Sequence, residues 1–111
     1  MSKEYQVLIF DFPNIDRSKV RPQHFKEVLP SIGNPIKAAG ALYHDDERTK
    51  FSGSWFQLAL DSREACIEFL KKDIYYREGI WDIDSAVIYP IGCAARLPVK
   101  LDGTPDELYR A

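Results

Sequence analysis

The sequence predicts an α+β domain whose strands and helices follow the order β-α-β-β-α-β. Two kinds of pattern support this order: runs rich in β-branched and aromatic residues, which are typical of strands, and two segments whose apolar residues recur at helical spacing. Clusters of proline and glycine separate these segments. A chain of 111 residues is long enough for one domain with a modest core. The order is that of ferredoxin-like βαββαβ sandwiches.

Four segments have the composition and the alternation of apolar residues that are typical of β-strands. The first is apolar on both faces, which predicts an interior strand, and Pro13 ends it. In the third, alternation places Phe51 and Trp55 on the face opposite Ser54. Pro90 and Gly92 are expected to end the fourth strand. The four predicted strands are residues 5–12, 36–44, 51–60 and 80–91.

Two segments between these strands have helical patterns. Pro22 suits the first position of a helix and disfavours the α region for Arg21, so the first helix is expected to begin at Pro22. Pro30 is expected to stop or kink this helix. The second helix is expected to have Asp61 as its N-cap, with Glu64 three residues later as in a capping box.

Two helices can cover only one face of a four-stranded sheet. The other face would expose Trp55, Phe51 and their neighbours, which is a larger apolar patch than monomers usually tolerate. We therefore expect a homodimer in which two such faces pack together as a dimeric α+β barrel. The domain is expected to span residues 1–92, and the less periodic residues 93–111 are expected to form an extended C-terminal arm.

Composition and charge limit the class of function. The net charge of -2 and the pI near 5.6 give no electrostatic reason to expect binding to nucleic acid or to an anionic membrane. Cys66 and Cys93 lie outside any metal-ligand spacing, and the sequence has no phosphate loop or dinucleotide fingerprint. Neither a signal peptide nor a membrane-spanning segment is apparent. We therefore expect a cytoplasmic protein that uses no metal and no cofactor.

His24 is the strongest candidate for chemistry. It lies about one turn from the start of the first predicted helix, at the edge of the apolar face of that helix. The unpaired amides of a helix N-terminus disfavour a positive charge, so an imidazole there is expected to be neutral and able to accept a proton. The residues alone leave a second explanation open, because an isolated helical histidine is more often a packed or surface side chain.

Several short segments match those of a known family in order and spacing. Residues 20–25, Val-Arg-Pro-Gln-His-Phe, are similar to the Val-Arg-Pro-x-His-Leu segment of YciI-like (YCII-related) proteins. Residues 73–80 line up with the Asp-Pro-Tyr-x-x-Ala-Gly-Val run of that family. The sequence thereby resembles the YciI-like family over residues 5–92. The other similar segments are residues 38–40, 51–54 and 88–90.

This resemblance implies a dimeric α+β barrel and a site in which a histidine and an aspartate face a cleft; these match His24 and Asp73. Family members with assigned activities resemble proton-transfer enzymes, such as a dehydrochlorinase that acts on a chlorinated hydroxyquinol, and muconolactone isomerases share the wider barrel fold. Two positions depart from the family pattern. Ile74 replaces the proline after the aspartate, and Ala41-Leu42 replaces the Gly-Pro-like exit of the second strand.

Six basic or aromatic residues are further candidates for substrate binding. The guanidinium of Arg21 could bind a substrate carboxylate or phenolate, or it could pair with an acid of the protein. The aromatic residues could line a pocket beside Asp73, or they could pack in the core or at an interface. The six candidates are Arg21, Tyr75, Tyr76, Trp81, Trp55 and His44.

We therefore expect a small cofactor-independent enzyme of secondary metabolism, of the lyase or isomerase type, in which His24 and Asp73 transfer protons. The carboxylate would fix the tautomer of the imidazole and stabilise the imidazolium formed in turnover. Elimination, isomerisation or cyclisation of a small aromatic or enol-type metabolite would suit this pair. The alternative is a non-catalytic dimeric module that binds a small ligand or stabilises a partner, with His24 in a structural role.

Overall fold

The computed structural model describes residues 3–109, and it has the α+β architecture that the sequence predicts. Four antiparallel strands form one sheet in the order β2-β3-β1-β4. The strands are β1 (Lys3–Asp11), β2 (Ile36–Tyr43), β3 (Phe51–Leu60) and β4 (Trp81–Ile91), and the helices are α1 (Arg21–Val28), α2 (Arg63–Lys71) and α3 (Ile74–Arg77). Short 3-10 turns occur at Arg17–Lys19, Leu29–Ser31 and Asp106–Leu108.

The core lies between the helices and one face of the sheet. In β1 every second residue, Tyr5, Val7 and Ile9, is buried on this face. Their partners in β3 continue the same face, and Phe56 and Leu58 are buried there. The other members of the buried apolar cluster are Ile36, Cys66, Leu70, Tyr75, Ile80 and Trp81.

Two predictions about the strands are wrong in detail. Phe51 does not lie on the open face with Trp55, because the register shifts where β2 pairs with the start of β3 and turns Phe51 towards the helices. Its ring centre lies 5.1 Å from the guanidinium carbon of Arg17. Pro90 does not end β4 but pairs within it, opposite Tyr5, whereas β4 does end at Ile91, directly before Gly92. An edge strand such as β4 tolerates a proline, since one row of its N–H groups faces away from the sheet.

The starts of both predicted helices are also displaced by one residue. Arg21 belongs to α1, and Val20 is the N-cap, because the preceding 3-10 turn already brings the chain into helical geometry (φ -98°, ψ -6° at Val20). The N-cap of α2 is Ser62, and not Asp61. The hydroxyl of Ser62 accepts a hydrogen bond from the N–H of Ala65 at 3.1 Å, so the predicted capping box is absent.

The structure has a third helix, α3, between α2 and β4, in addition to the two helices that the sequence predicts. This helix has four residues, too few for a hydrophobic period to reveal it in the sequence. Asp73 is its N-cap, and Oδ1 of Asp73 accepts a hydrogen bond from the N–H of Tyr75 at 2.9 Å. This short helix fixes the position of Asp73, which the sequence analysis associates with His24.

The face of the sheet opposite the helices carries an apolar patch, which we call the open face. Cross-strand pairing groups its members on this side, and Phe10 and Tyr89 are 37% and 63% exposed. The indole of Trp55 lies across Gly40, where an added Cβ would come within 2.5 Å of the indole nitrogen. The larger apolar residues of the open face are Leu8, Phe10, Leu42, Trp55, Val87, Tyr89 and Ile91.

Residues 93–109 continue past the sheet without adding a strand. Arg96 connects this segment to β1 through an ion pair with Glu4 at 2.7 Å. The division into a domain of residues 1–92 and an arm of residues 93–111 stays a prediction, and residues 110 and 111 lie outside the described part of the chain. No helix within residues 3–109 is long and apolar enough to cross a membrane. The cytoplasmic location also stays a prediction.

Candidate functional site

His24 and Asp73 form a hydrogen-bonded pair between the first turn of α1 and the N-cap of α3. Nδ1 of His24 lies 2.9 Å from Oδ1 of Asp73, although 49 residues separate them in sequence. A carboxylate can only accept a hydrogen bond, so Nδ1 carries the proton and Nε2 keeps its lone pair in the neutral ring. The side chains of His24 and Asp73 are 11% and 6% exposed.

The second ring nitrogen of His24, Nε2, makes no hydrogen bond within the described residues. Every fully buried side-chain nitrogen or oxygen in this part of the chain has a partner, so Nε2 is not fully buried. The ring itself is packed: it stacks on Tyr75 with ring centres 4.0 Å apart and meets Trp81 edge-on at 6.3 Å. The pair is therefore a mostly buried dyad with one accessible proton acceptor.

A buried ion pair that the sequence analysis missed lies next to the dyad. Arg17 is 3% exposed, and it donates to both carboxylate oxygens of Asp11, from Nε at 3.0 Å and from Nη2 at 2.7 Å. Nη2 also donates to Oγ of Ser54 at 3.0 Å, and the indole N–H of Trp81 donates to the same oxygen at 3.2 Å. Ser54 therefore joins the ion pair to the aromatic core.

Tyr75 connects this ion pair to the dyad. The guanidinium carbon of Arg17 lies 4.5 Å from the centre of the Tyr75 ring, which also stacks on His24. Burial raises the pKa of the Tyr75 hydroxyl, and the positive charges of Arg17 and Arg21 oppose this rise in part. The phenol is therefore protonated at neutral pH and acts here as a stacking platform.

A cavity of about 270 Å³ opens beside the dyad. It lies where the start of α1 faces the start of β3, and His24 is not among its lining residues. The ring of Phe25, which does line it, has its centre 6.0 Å from that of His24. The lining residues are Ser18, Arg21, Pro22, Phe25 and Phe51.

Among the relatives compared, proteins from fungal biosynthesis clusters are similar to this chain. Aspercryptin biosynthesis cluster protein B of Emericella nidulans is 33% identical over 97 residues, which cover 79% of this chain and 62% of that protein. The chain thus spans less than two thirds of that relative. Fusaric acid biosynthesis protein 2 of Gibberella fujikuroi is 27% identical over 95 residues, which cover 79% of this chain and 91% of that protein. No protein-family model matches the sequence.

A solved structure has the same fold. It is 5-chloro-2-hydroxyhydroquinone dehydrochlorinase from Burkholderia phenoliruptrix AC1100, in complex with 2,5-dihydroxybenzoquinone. The TM-score is 0.63 with 14% sequence identity, over 78% of this chain and 90% of that one. The predicted ferredoxin-like α+β class is confirmed, and the neighbour has the dimeric α+β barrel fold. The similarity to biosynthesis proteins supports the expected place in secondary metabolism.

The structure brings some of the predicted site residues together and leaves others apart. His24 contacts Asp73, Tyr75 and Trp81, and Arg21 lines the adjacent cavity. The remaining three candidates contribute no side-chain contact to the dyad within the described residues: Tyr76 packs against the core and only its backbone N–H donates to the carbonyl of Asp73, Trp55 lies on the open face, and His44 is exposed where its N–H donates to the carbonyl of Lys50.

A signal for the missed ion pair was present in the sequence. Asp11 is in phase with Tyr5, Val7 and Ile9, which form the buried face of β1. A carboxylate in that phase requires a buried cation or several hydrogen-bond donors. Nothing local marks Arg17 as that cation. Within residues 3–109, no group of three or more histidine, cysteine or acidic side chains is placed to hold a metal ion.

Proposed function

We propose that this chain is a YciI-like domain that transfers protons on a small cyclic metabolite of a biosynthetic pathway, with His24 as base and Asp73 as the carboxylate that orients it. The observation that carries the proposal is the 2.9 Å contact between Nδ1 and Oδ1, together with the incomplete burial of Nε2. Similarity to biosynthesis-cluster proteins and the fold shared with a dehydrochlorinase support the class of substrate.

The proposed step is general base catalysis. Nε2 of His24 accepts a proton from a carbon next to a carbonyl, or from a ring hydroxyl, and the electron pair left behind forms an enolate or phenolate. The negative charge of Asp73 stabilises the imidazolium that results. In an elimination, the enolate expels a leaving group from the neighbouring carbon. In an isomerisation, the imidazolium returns the proton to a different carbon. Neither reaction needs an electron acceptor, so we propose no cofactor.

A specific observation favours a second candidate, a non-catalytic module that binds a small ligand. The ring of His24 is packed against Tyr75 and Trp81 and does not line the cavity. In this alternative the pair with Asp73 serves only to fasten α1 to α3. The two candidates differ in whether removing the imidazole abolishes chemistry or only weakens the fold.

Deuterium exchange distinguishes the two candidates. The probes are 2,5-dihydroxybenzoquinone and the single-ring compounds 1,3-cyclohexanedione and resorcinol, incubated with the protein in D2O and followed by loss of their C–H signals in proton NMR. The wild type is expected to accelerate exchange of at least one probe, and His24→Asn to lower that acceleration by about 10²- to 10⁴-fold. Gln23→Asn, an exposed change in the same helical turn, is the matched control.

Equal acceleration by wild type and His24→Asn, or no acceleration of a probe that binds, contradicts the catalytic proposal. Asp73→Asn adds a finer test. The amide oxygen can still cap α3, whereas the negative charge behind the imidazole is lost. Exchange should fall for this variant while the circular dichroism spectrum is unchanged.

We also propose that a second copy of this chain packs on the open face. The patch is apolar, and its ends at Phe10 and Tyr89 are exposed. Trp55→Lys places a charge in the middle of the patch, and it is expected to convert a dimer into a monomer in size-exclusion chromatography with light scattering. A wild type that is monomeric at micromolar concentration contradicts this proposal.

A further inference from the structure

Arg21 is a half-buried cation whose charge no acid of the described chain balances. Near the site, Arg17 pairs with Asp11 and His24 pairs with Asp73. The ion pairs found within residues 3–109 do not include Arg21. Its guanidinium therefore has hydrogen-bond donors that the protein leaves available.

Two aromatic rings hold the Arg21 guanidinium in place. Its central carbon lies 4.8 Å from the ring centre of Phe25 and 5.1 Å from that of Phe51. Contacts of this kind orient a guanidinium over a ring face without using its N–H groups. An arginine with a fixed plane and available donors is suited to a carboxylate or another planar anion.

The cavity next to Arg21 limits the size and the shape of such an anion. Its volume of about 270 Å³ is close to the lower end of small-molecule sites. Pro22, Phe25 and Phe51 give it apolar walls, and Ser18 and Arg21 supply the polar groups. The cavity therefore fits a single ring that bears one anionic group.

The spacing of Arg21 and His24 relates this anion site to the dyad. The two residues are three positions apart on α1, so their Cβ atoms are about 5–6 Å apart on one side of the helix. We propose that Arg21 is a specificity residue that binds the carboxylate or enolate of a single-ring ligand in this cavity. Calling that ligand a substrate rests on the proposed function, whereas the binding itself does not.

The experiment compares benzoate with benzamide, which have the same size and differ in charge. Each is titrated into the protein, and backbone amide shifts in proton–nitrogen NMR spectra give the dissociation constants. The wild type is expected to bind benzoate at least about 10-fold more tightly than benzamide. The largest shifts should occur at Phe25 and Phe51.

Two variants of Arg21 separate charge from packing. Arg21→Met keeps a long side chain against the aromatic rings, and Arg21→Gln also keeps hydrogen-bond donors; both should bring the two ligands to within about 2-fold of each other. Arg48→Gln, which removes a positive charge from the exposed β2–β3 loop, should keep the preference of the wild type.

Three results overturn the proposal: no binding of benzoate at millimolar concentration, equal affinity of the wild type for the two ligands, or a preference for benzoate that survives in Arg21→Met and Arg21→Gln. No step of this assay involves turnover. If the protein prefers benzoate through Arg21 but does not accelerate deuterium exchange, the anion site is supported and the proposed reaction is contradicted. If it accelerates exchange but shows no preference for benzoate, the reaction is supported and the anion site is contradicted.

Discussion

The buried ion pair of Arg17 and Asp11 gives the strongest stability prediction. Arg17→Met keeps most of the side-chain length but removes three hydrogen bonds, two to Asp11 and one to Ser54. The carboxylate of Asp11, which is 7% exposed, then has no counter-charge. Removing one partner of such a pair lowers the free energy of unfolding by about 3–5 kcal/mol. That is a large fraction of the roughly 5–15 kcal/mol typical of a domain.

Urea denaturation followed by tryptophan fluorescence measures this loss. The matched control is Arg77→Met, because Arg77 forms an ion pair with Glu27 in which the side chains are 50% and 34% exposed. That variant should change the free energy of unfolding by no more than about 1 kcal/mol. The double variant Arg17→Met/Asp11→Leu should recover part of the stability lost by Arg17→Met, because it removes the unpaired charge. A loss below about 1 kcal/mol for Arg17→Met alone would refute the assignment of a buried ion pair.

Three further predictions concern the stability of the fold. Gly53→Ala should lower the free energy of unfolding by about 3 kcal/mol or more, because the added Cβ would lie 2.2 Å from a backbone oxygen of β1. The control is Gly92→Ala, where an added Cβ would have no other atom within 4 Å. Similar losses for the two variants would contradict the prediction. In urea denaturation, Ser62→Ala should lower the free energy of unfolding by about 1 kcal/mol and Asp61→Ala by less than about 0.5 kcal/mol, since only Ser62 caps α2. A larger loss for Asp61→Ala than for Ser62→Ala would instead support the capping box predicted at Asp61. Burial raises the pKa of the Cys66 thiol from 9.0 to about 11, so the unfolded chain loses this proton first and the free energy of unfolding should fall as the pH rises through that range. Cys66→Ala should show a shallower fall, and an equal slope would contradict the attribution.

Local patterns predicted the strands well, because alternation with a period of two is set by which face is buried. Tyr5, Val7 and Ile9 follow that alternation through β1 without interruption. The same rule failed at Phe51, where a register shift reverses the face, and such shifts depend on the partner strand. Helix α3 was not predicted, because its single turn is too short for a helical period and depends on the cap at Asp73.

The candidate site was less accessible from local patterns. The position of His24 near a helix start marked it as a candidate, but its partner Asp73 came only from the resemblance to a family, since no periodicity relates residues 49 positions apart. Arg17 was missed because a charged residue in a polar loop is usually solvated. Its burial depends on Asp11 and on the stacking surface of Tyr75, and both are supplied by the tertiary fold.

The protonation of the His24 ring tests the proposed base most directly. Long-range proton–nitrogen NMR at about pH 8, where an ordinary histidine is neutral, distinguishes the two tautomers. If His24 is the base, Nδ1 carries the proton, Nε2 is unprotonated, and adding 2,5-dihydroxybenzoquinone changes the Nε2 signal. A proton on Nε2 instead, or an Nε2 signal that this probe leaves unchanged while it binds elsewhere, would contradict the proposal.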